Sequence, residues 1–557
     1  TEHSDRDGIT QKFLRDENGN ITEYILGGKT VWTAEYNSNG LLTKQEIFRE
    51  PHILMTYVYD DFGNLTEEKI GNRVQINNYD SDGRIISSYV NGKLITSYEY
   101  GEKTVTKKDY NGKKTFYEYN QRKDLIRVEQ SDTKTGECRV YRFEYDKRHL
   151  PVKFYAGDKN SQSLILEQTY SKAGVLLSDE SSDENASSEK NVNEYSSGGR
   201  MLSEKSEYGG RTIFEYDAEG RVSKYYEEGK TPFRINYNND GSLSEEINRL
   251  GEVTEYFYDE NGAIVSIRSE GKKEWITYDD FGRIKLYVIG ESANIENAEK
   301  YISYEYSDDD RNVFVQEGGI IKTEYEYNAF GEVIKKTDGN GNEYCYEYDA
   351  LGNNIKVTGG YENNEATDSN LYDIERNYFY DENGRLKDLK IGNEVFQSWS
   401  YSADGKEISV TDGNKNVYKY FYDDFGRLTK ETNRTGKNQS FYYDAEGNVI
   451  GKIDFNGHES KVDYKNGKRT VKCTSFDGKE TLLEYDMCGN VIHALNENAE
   501  YFYEYNKAGL LVLVKDAVGG GEINYEYDMA GNKTRMRSGD FDIHYKYGKN
   551  NEIAAVT

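Results

Sequence analysis

Only three prolines, Pro51, Pro151 and Pro232, occur in 557 residues. That excludes proline-rich linkers and polyproline recognition segments. The four cysteines, Cys138, Cys345, Cys473 and Cys488, form no CxxC pair and are too few for a disulfide framework. Cys473 and Cys488 could face each other on neighbouring strands, but reduced packing residues are the simpler reading. No run of 18 apolar residues exists, so no transmembrane helix is expected. No signal peptide opens the chain at Thr1, and the start TEHSDRDG reads as an internal boundary of a longer protein. Basic residues are outnumbered, 71 against 100 acidic, for a formal charge of −29. This disfavours nucleic acid and anionic membranes as partners and suits a basic one. Hydrophobic residues reach only 35%, which alone would suggest disorder.

What the chain does have is tyrosine: 52 of them, within an aromatic content of 14%. They are regularly spaced. Tyr380, Tyr401, Tyr422, Tyr443, Tyr464 and Tyr485 follow one another in steps of 21 residues. A fixed period in this range signals a repeat architecture. Twenty-five anchor positions run from Arg15 to Tyr547, and all but Arg15 are tyrosine. The next residue is Asp, Asn or Ser in 22 of 25, and Gly stands four after the anchor in 19 of 25. A type I turn prefers such residues at its first position, and the glycine supplies the positive φ of a bulged hairpin. The structural motif residues are Tyr59, Asp60 and Gly63; Tyr216, Asp217 and Gly220; Tyr258, Asp259 and Gly262; Tyr348, Asp349 and Gly352; Tyr380, Asp381 and Gly384; Tyr422, Asp423 and Gly426; Tyr443, Asp444 and Gly447; and Tyr485, Asp486 and Gly489.

The flanks alternate with period 2, as in Tyr256-Phe257-Tyr258, so paired aromatics lie on one face of a strand. A second turn often follows, as in Asp338-Gly339-Asn340-Gly341 and Asn433-Arg434-Thr435-Gly436. Each repeat is therefore strand, turn, strand, turn. The expected fold is all-β: a long antiparallel meander of about 25 repeats and about 50 strands, in which tyrosine ladders replace an aliphatic core. At roughly 4.8 Å per strand the sheet would run about 240 Å and be about 23 Å wide. Sheets twist, so it should wind into a spiral or an open or partial β-shell. Its area of about 5,500 Å² is small for a full capsule. Residues 1–557 read as a single continuous array, with insertions near 130–140, 155–168, 178–192, 287–300 and 358–375. The segment Ser181–Lys190 reads as mobile, and Gly290–Lys300 and Gly359–Leu371 as long hairpin tips. Insertions in repeat proteins tend to map to one contact face, although a tolerated surface loop is the simpler reading of each.

Tyr-Asp-x-x-Gly-Arg-Leu, at Tyr380–Leu386 and Tyr422–Leu428, resembles the tyrosine-aspartate (YD, or Rhs) repeat over nearly the whole chain. That family includes bacterial Rhs and wall-associated polymorphic toxins, toxin-complex shell subunits and teneurins. The resemblance implies a continuous sheet wound into a hollow shell, which in the toxins encloses a C-terminal toxic segment. Self-cleaving aspartates of an Asp-Pro core cannot be carried over, because no Asp-Pro occurs here.

Chemistry is thin. The histidines, His3, His52, His149, His458, His493 and His544, make no HxH or HExxH pattern, and His149 sits in a glycine slot. Asp16–Asn20 and Asp80–Gly83 resemble calcium loops, but their Gly falls at position 4, as in every other turn. No GxSxG or GxxxxGK[ST] occurs. The expectation is a non-enzymatic shell region with no cofactor or metal, from a bacterial secreted or surface protein, enclosing or displaying a toxin-like segment outside this chain. The alternative is a cell-surface adhesin whose tyrosines or loops contact carbohydrate or protein.

Overall fold

The computed structural model describes the chain except residues 1, 5–9, 27–28, 49–50, 173, 175, 182–193, 197–199, 206–209, 218, 239, 360–374, 382–383, 403, 466–468 and 549–550. Most of Ser181–Lys190 and of Gly359–Leu371 therefore lies outside the described residues.

Fifty-one strands follow one another with no α-helix among the described residues; a single 3-10 turn spans Ile295–Asn297. Seventeen strands, from Glu2–Ser4 to Leu176–Ser181, form one sheet, and thirty-four, from Glu194–Tyr195 to Ile553–Val556, form the other. Within each sheet every strand pairs antiparallel with its chain neighbours, as in Val253–Tyr258 with Ile264–Ser269 and that strand with Lys272–Tyr278. This is the meander expected of strands joined by tight turns.

The register within a repeat has one recurring irregularity. Phe257 opposes Ser266 and Tyr258 opposes Ile264, so Val265 is an extra residue in a β-bulge. The same shift stands beside Tyr216, Tyr348, Tyr380, Tyr422, Tyr443 and Tyr485. Bulges bend a strand and increase its twist, and repeated in nearly every repeat they curl the sheet.

The curl brings distant turns together. Hydrogen bonds join residues between 175 and 218 positions apart. At about 200 residues per winding, 557 residues give just under three windings of an open spiral. The two faces differ in exposure. In Ile53–Tyr59, Tyr57 and Tyr59 are half-buried, whereas Leu54 and Val58 are 47% and 51% exposed. A curled sheet crowds its concave side, so the tyrosine face is the inner one.

The fully buried side chains are few and small: Val140, Val288, Asn328, Asp132 and Ser266 are the largest. Asp132 and Asn328 sit where one winding meets the next.

Candidate functional site

Within each repeat the motif residues form a local lock. Asp60 Oδ1 accepts from the backbone N–H groups of Phe62 at 2.9 Å and Asn64 at 2.8 Å, while the Asn64 amide donates to Oδ2 at 2.9 Å. Asp349, Asp444 and Asp486 repeat this arrangement with Asn353, Asn448 and Asn490. Asp217, Asp381 and Asp423 use Arg221, Arg385 and Arg427 instead. At Asp259 the closing residue is Ala263, whose backbone N–H donates to Oδ1 at 2.8 Å, while the Asn261 amide donates to Oδ2 at 3.4 Å. The glycines Gly63, Gly220, Gly262, Gly352, Gly384, Gly426, Gly447 and Gly489 all have φ between 74° and 90°. His149 takes the same slot at φ 67°. Burial pushes the Asp423 carboxyl up, but the backbone N–H and guanidinium of Arg427 outweigh it and hold it below its ordinary value.

The tyrosine locks one repeat to the next. Among the described residues, seventeen anchor hydroxyls donate to a backbone carbonyl of the preceding repeat, at 2.5 to 3.0 Å. The acceptor is the carbonyl two residues after the turn glycine: Tyr216 reaches Met201, Tyr258 Leu243, Tyr348 Val333, Tyr380 Asn354 and Tyr443 Leu428. That carbonyl immediately precedes the extra residue of the bulge, where a ladder leaves a group to be satisfied. For Tyr59, Tyr422 and Tyr485, burial raises the hydroxyl pKa.

The sequence motif included the Arg five after the anchor but not its role in closing the turn, and the Asn that takes the same place in other repeats was not singled out. The arginines do a second job: Arg221, Arg283 and Arg385 lie 4.6, 4.4 and 4.5 Å from the ring centroids of Tyr237, Tyr306 and Tyr401 in the next repeat.

Between windings, the second turns of one winding meet the Tyr-Asp turns of the next. Asn72 N–H donates to Asn261 Oδ1 at 3.3 Å, Arg249 to the Ala445 carbonyl at 2.7 Å, and Lys322 N–H to the Met529 carbonyl at 2.9 Å. A buried contact is made by Arg311, which holds both oxygens of Asp132 at 2.8 and 2.9 Å and also bonds the Asn111 carbonyl at 2.6 Å. The Ala329 N–H adds a bond to Asp132 Oδ2 at 2.7 Å. Beside it, Arg139 pairs with Glu332 at 2.6 Å and with Glu137 at 2.9 Å. Burial pushes the Asp132 pKa up, but Arg311 and the backbone donors of Ala329, Lys134 and Thr135 overcome it and hold it well below the carboxylate range.

Two insertions take part in these seams. Asp132, Lys134 and Arg139 lie in the 130–140 insertion. In the 287–300 insertion, Glu299 accepts from Met487 N–H at 2.7 Å, and the Ile295 and Glu296 carbonyls accept from Lys507 at 2.6 and 2.8 Å. They are contact elements, not free surface loops. All four cysteines are free thiols: Cys473 opposes Thr481, and Cys488 lies in the turn from Asp486 to Gly489.

Glu299, Asp486 and Cys488 come within 4.8 Å of one another. Both carboxylates are engaged by backbone N–H groups, and burial, with Asp486 and Glu299 nearby, pushes the Cys488 thiol up to about 12. The trio is part of the seam between windings. Beside it a cleft of about 760 Å³ opens between windings, lined by Glu252, Lys272, Tyr464, Arg469 and Tyr485 among others.

Residues 165–366 match the family model Teneurin YD-shell, and residues 401–437 and 422–459 match RHS Repeat. The chain is an array of YD repeats. Over 170 residues it is 31% identical to the tRNA3(Ser)-specific nuclease WapA of Bacillus spizizenii and 29% identical to the tRNA nuclease WapA of Bacillus subtilis. Each match covers 30% of this chain and only 7% of the relative. Among solved structures, the Tc holotoxin pore of Photorhabdus luminescens is 12% identical, covering 98% of this chain and 35% of that one, with a TM-score of 0.41. The TcdB2-TccC3-TEV structure is 13% identical over the same shares, with a TM-score of 0.31. This YD-repeat array has no helix among its described residues long and apolar enough to cross a membrane.

Proposed function

We propose that this YD-repeat chain is a length of shell wall in a bacterial secreted or surface protein, and that it encloses or displays a toxin-like segment of the same parent polypeptide. The observation that carries this reading is the seam: the curled sheet is closed winding upon winding by buried pairs such as Asp132 with Arg311. A binding module needs no such closure; a container wall does. On this reading residues 1–557 form one array, the repeat motif is structural, and the wall is not an enzyme. The WapA relatives are named as nucleases, but the match spans 7% of each, so their activity is not carried to this chain.

Limited proteolysis of the parent polypeptide tests the proposal. The segment beyond the repeats should be cut slowly in the native protein and faster in Arg311→Ala. Equal cutting in both would contradict enclosure.

The adhesin reading draws on a different face. Phe314, Phe379 and Phe396 are 46%, 43% and 54% exposed, and exposed aromatics suit stacking on sugar rings. Binding on a glycan array that is lost in Phe396→Ser would favour it. The anchor tyrosines suit it less, since their hydroxyls are spent on neighbouring carbonyls.

A further inference from the structure

A third insertion, 155–168, folds back on its own winding. Asp158 Oδ1 accepts from the Asn160 and Ser161 N–H groups at 2.7 and 2.8 Å, which closes the tip. A Cβ on Gly157 would lie 2.1 Å from the Ser161 carbonyl oxygen, so glycine is what lets the chain turn this tightly. The Lys159 ammonium stands 2.9 Å from Glu129, two strands away. Beneath the tip lies a cleft of about 500 Å³, lined by Glu118, Arg127, Arg142, Glu144, Tyr155 and Lys159 among others. That volume falls within the roughly 300–1,000 Å³ of small-ligand sites.

Four of these residues form one row across the sheet. Glu118 opposes Arg127, Arg127 opposes Arg142, and Arg142 opposes Tyr155. Glu118 immediately precedes the anchor Tyr119, so the row lies on the outer face, away from the tyrosine ladder. Its strands are paired on both sides, and the cleft is not part of a rim. Two arginines thus stand directly opposite each other, about 5 Å apart at Cβ, an arrangement that costs a sheet stability. Arg127 is offset by Glu129 at 2.5 Å and Glu118 at 3.9 Å. The Arg142 guanidinium is exposed and makes no hydrogen bond or ion pair among the described residues. Three cations and two carboxylates line the cleft, in a chain with 71 basic and 100 acidic residues.

We propose that this cleft binds the phosphoryl group of a small phosphorylated ligand, with Arg142 as its principal contact. A guanidinium fork fits an oxyanion through two parallel hydrogen bonds. Arg127 and Arg142 approach from the floor and Lys159 from the tip above. Donors from two directions suit a tetrahedral dianion better than a planar carboxylate, which one fork saturates. The dianion also offsets the repulsion between the two arginines, and the rest of the cleft admits the group that carries the phosphate.

Isothermal titration calorimetry at low ionic strength tests this with inorganic phosphate and glycerol phosphate, and with acetate as the carboxylate control. Both phosphates should bind saturably at one site, and acetate more weakly. Arg142→Ser should weaken phosphate binding about tenfold or more, as for loss of a charge-assisted pair. It should leave the melting temperature without ligand unchanged, since it breaks no side-chain bond within the chain. Arg434→Ser, which removes an exposed arginine from a distant turn, should bind phosphate like the parent. No saturable phosphate binding, acetate binding as tight as phosphate, undiminished binding in Arg142→Ser, or an equal loss in Arg434→Ser would each overturn the proposal.

Discussion

Arg311 grips both carboxylate oxygens of Asp132 from 179 residues away, at 2.8 and 2.9 Å, with 3% and 1% of the two residues exposed. Removing one partner leaves the other charged and buried. Arg311→Ala should therefore cost about 3–5 kcal/mol in urea unfolding. The double variant with Asp132→Ala should lose less than the sum of the two single variants, because neither charge is then stranded.

Acid should open the same seam. Asp132 is held well below the ordinary carboxylate range, and Asp309, bonded to Lys134, is held at about 2. Both pKa values are lowered in the folded state. Their contribution is thus fully present above about pH 4, the unfolded value, and is lost as pH falls through the folded values. Thermal midpoints should hold steady from about pH 7 to 5 and drop between about pH 4 and 2. Asp132→Asn should flatten part of that drop.

The tyrosine lock predicts a contrast between tyrosines on opposite faces of the sheet. Tyr401 donates to the Leu386 carbonyl at 2.7 Å and lies under Arg385, so Tyr401→Phe should cost about 1 kcal/mol. Tyr442, 48% exposed on the other face, should tolerate the same change with no measurable loss. Chemical denaturation of both variants separates the two.

Two glycines should fail for different reasons. Gly426 has φ 78°, which a β-branched side chain resists, so Gly426→Val should destabilise by roughly 1–3 kcal/mol and Gly426→Asn by less. Gly210 matters for space: a Cβ there would lie 2.3 Å from the Asp424 carbonyl oxygen. Gly210→Ala should loosen the seam, read as faster hydrogen exchange at 424–426, while the turn at 423–426 keeps its own bonds.

These residues also mark how far the sequence could be read. Asp423, Gly426 and Tyr443 were legible because each acts within its own or the adjacent repeat, at a fixed spacing that recurs along the chain. Arg427 recurs less regularly, an arginine standing five after the anchor in 8 of 25 repeats, and its two partners, the Asp423 carboxylate and the Tyr443 ring, are visible only once the hairpin is folded. The strand count and open spiral followed from period and sheet twist. The pairing of Asp132 with Arg311 did not, because it depends on how many residues complete a winding. Bulge geometry sets that number, and no local pattern records it.

The winding is most directly tested by zero-length carbodiimide cross-linking with mass spectrometry. Lys134 and Asp309 stand 2.5 Å apart across 175 residues and should give a strong intramolecular link in the monomer fraction, lost in Asp309→Asn. Links confined to adjacent strands and hairpins, with none joining residues about 200 apart, would contradict the spiral.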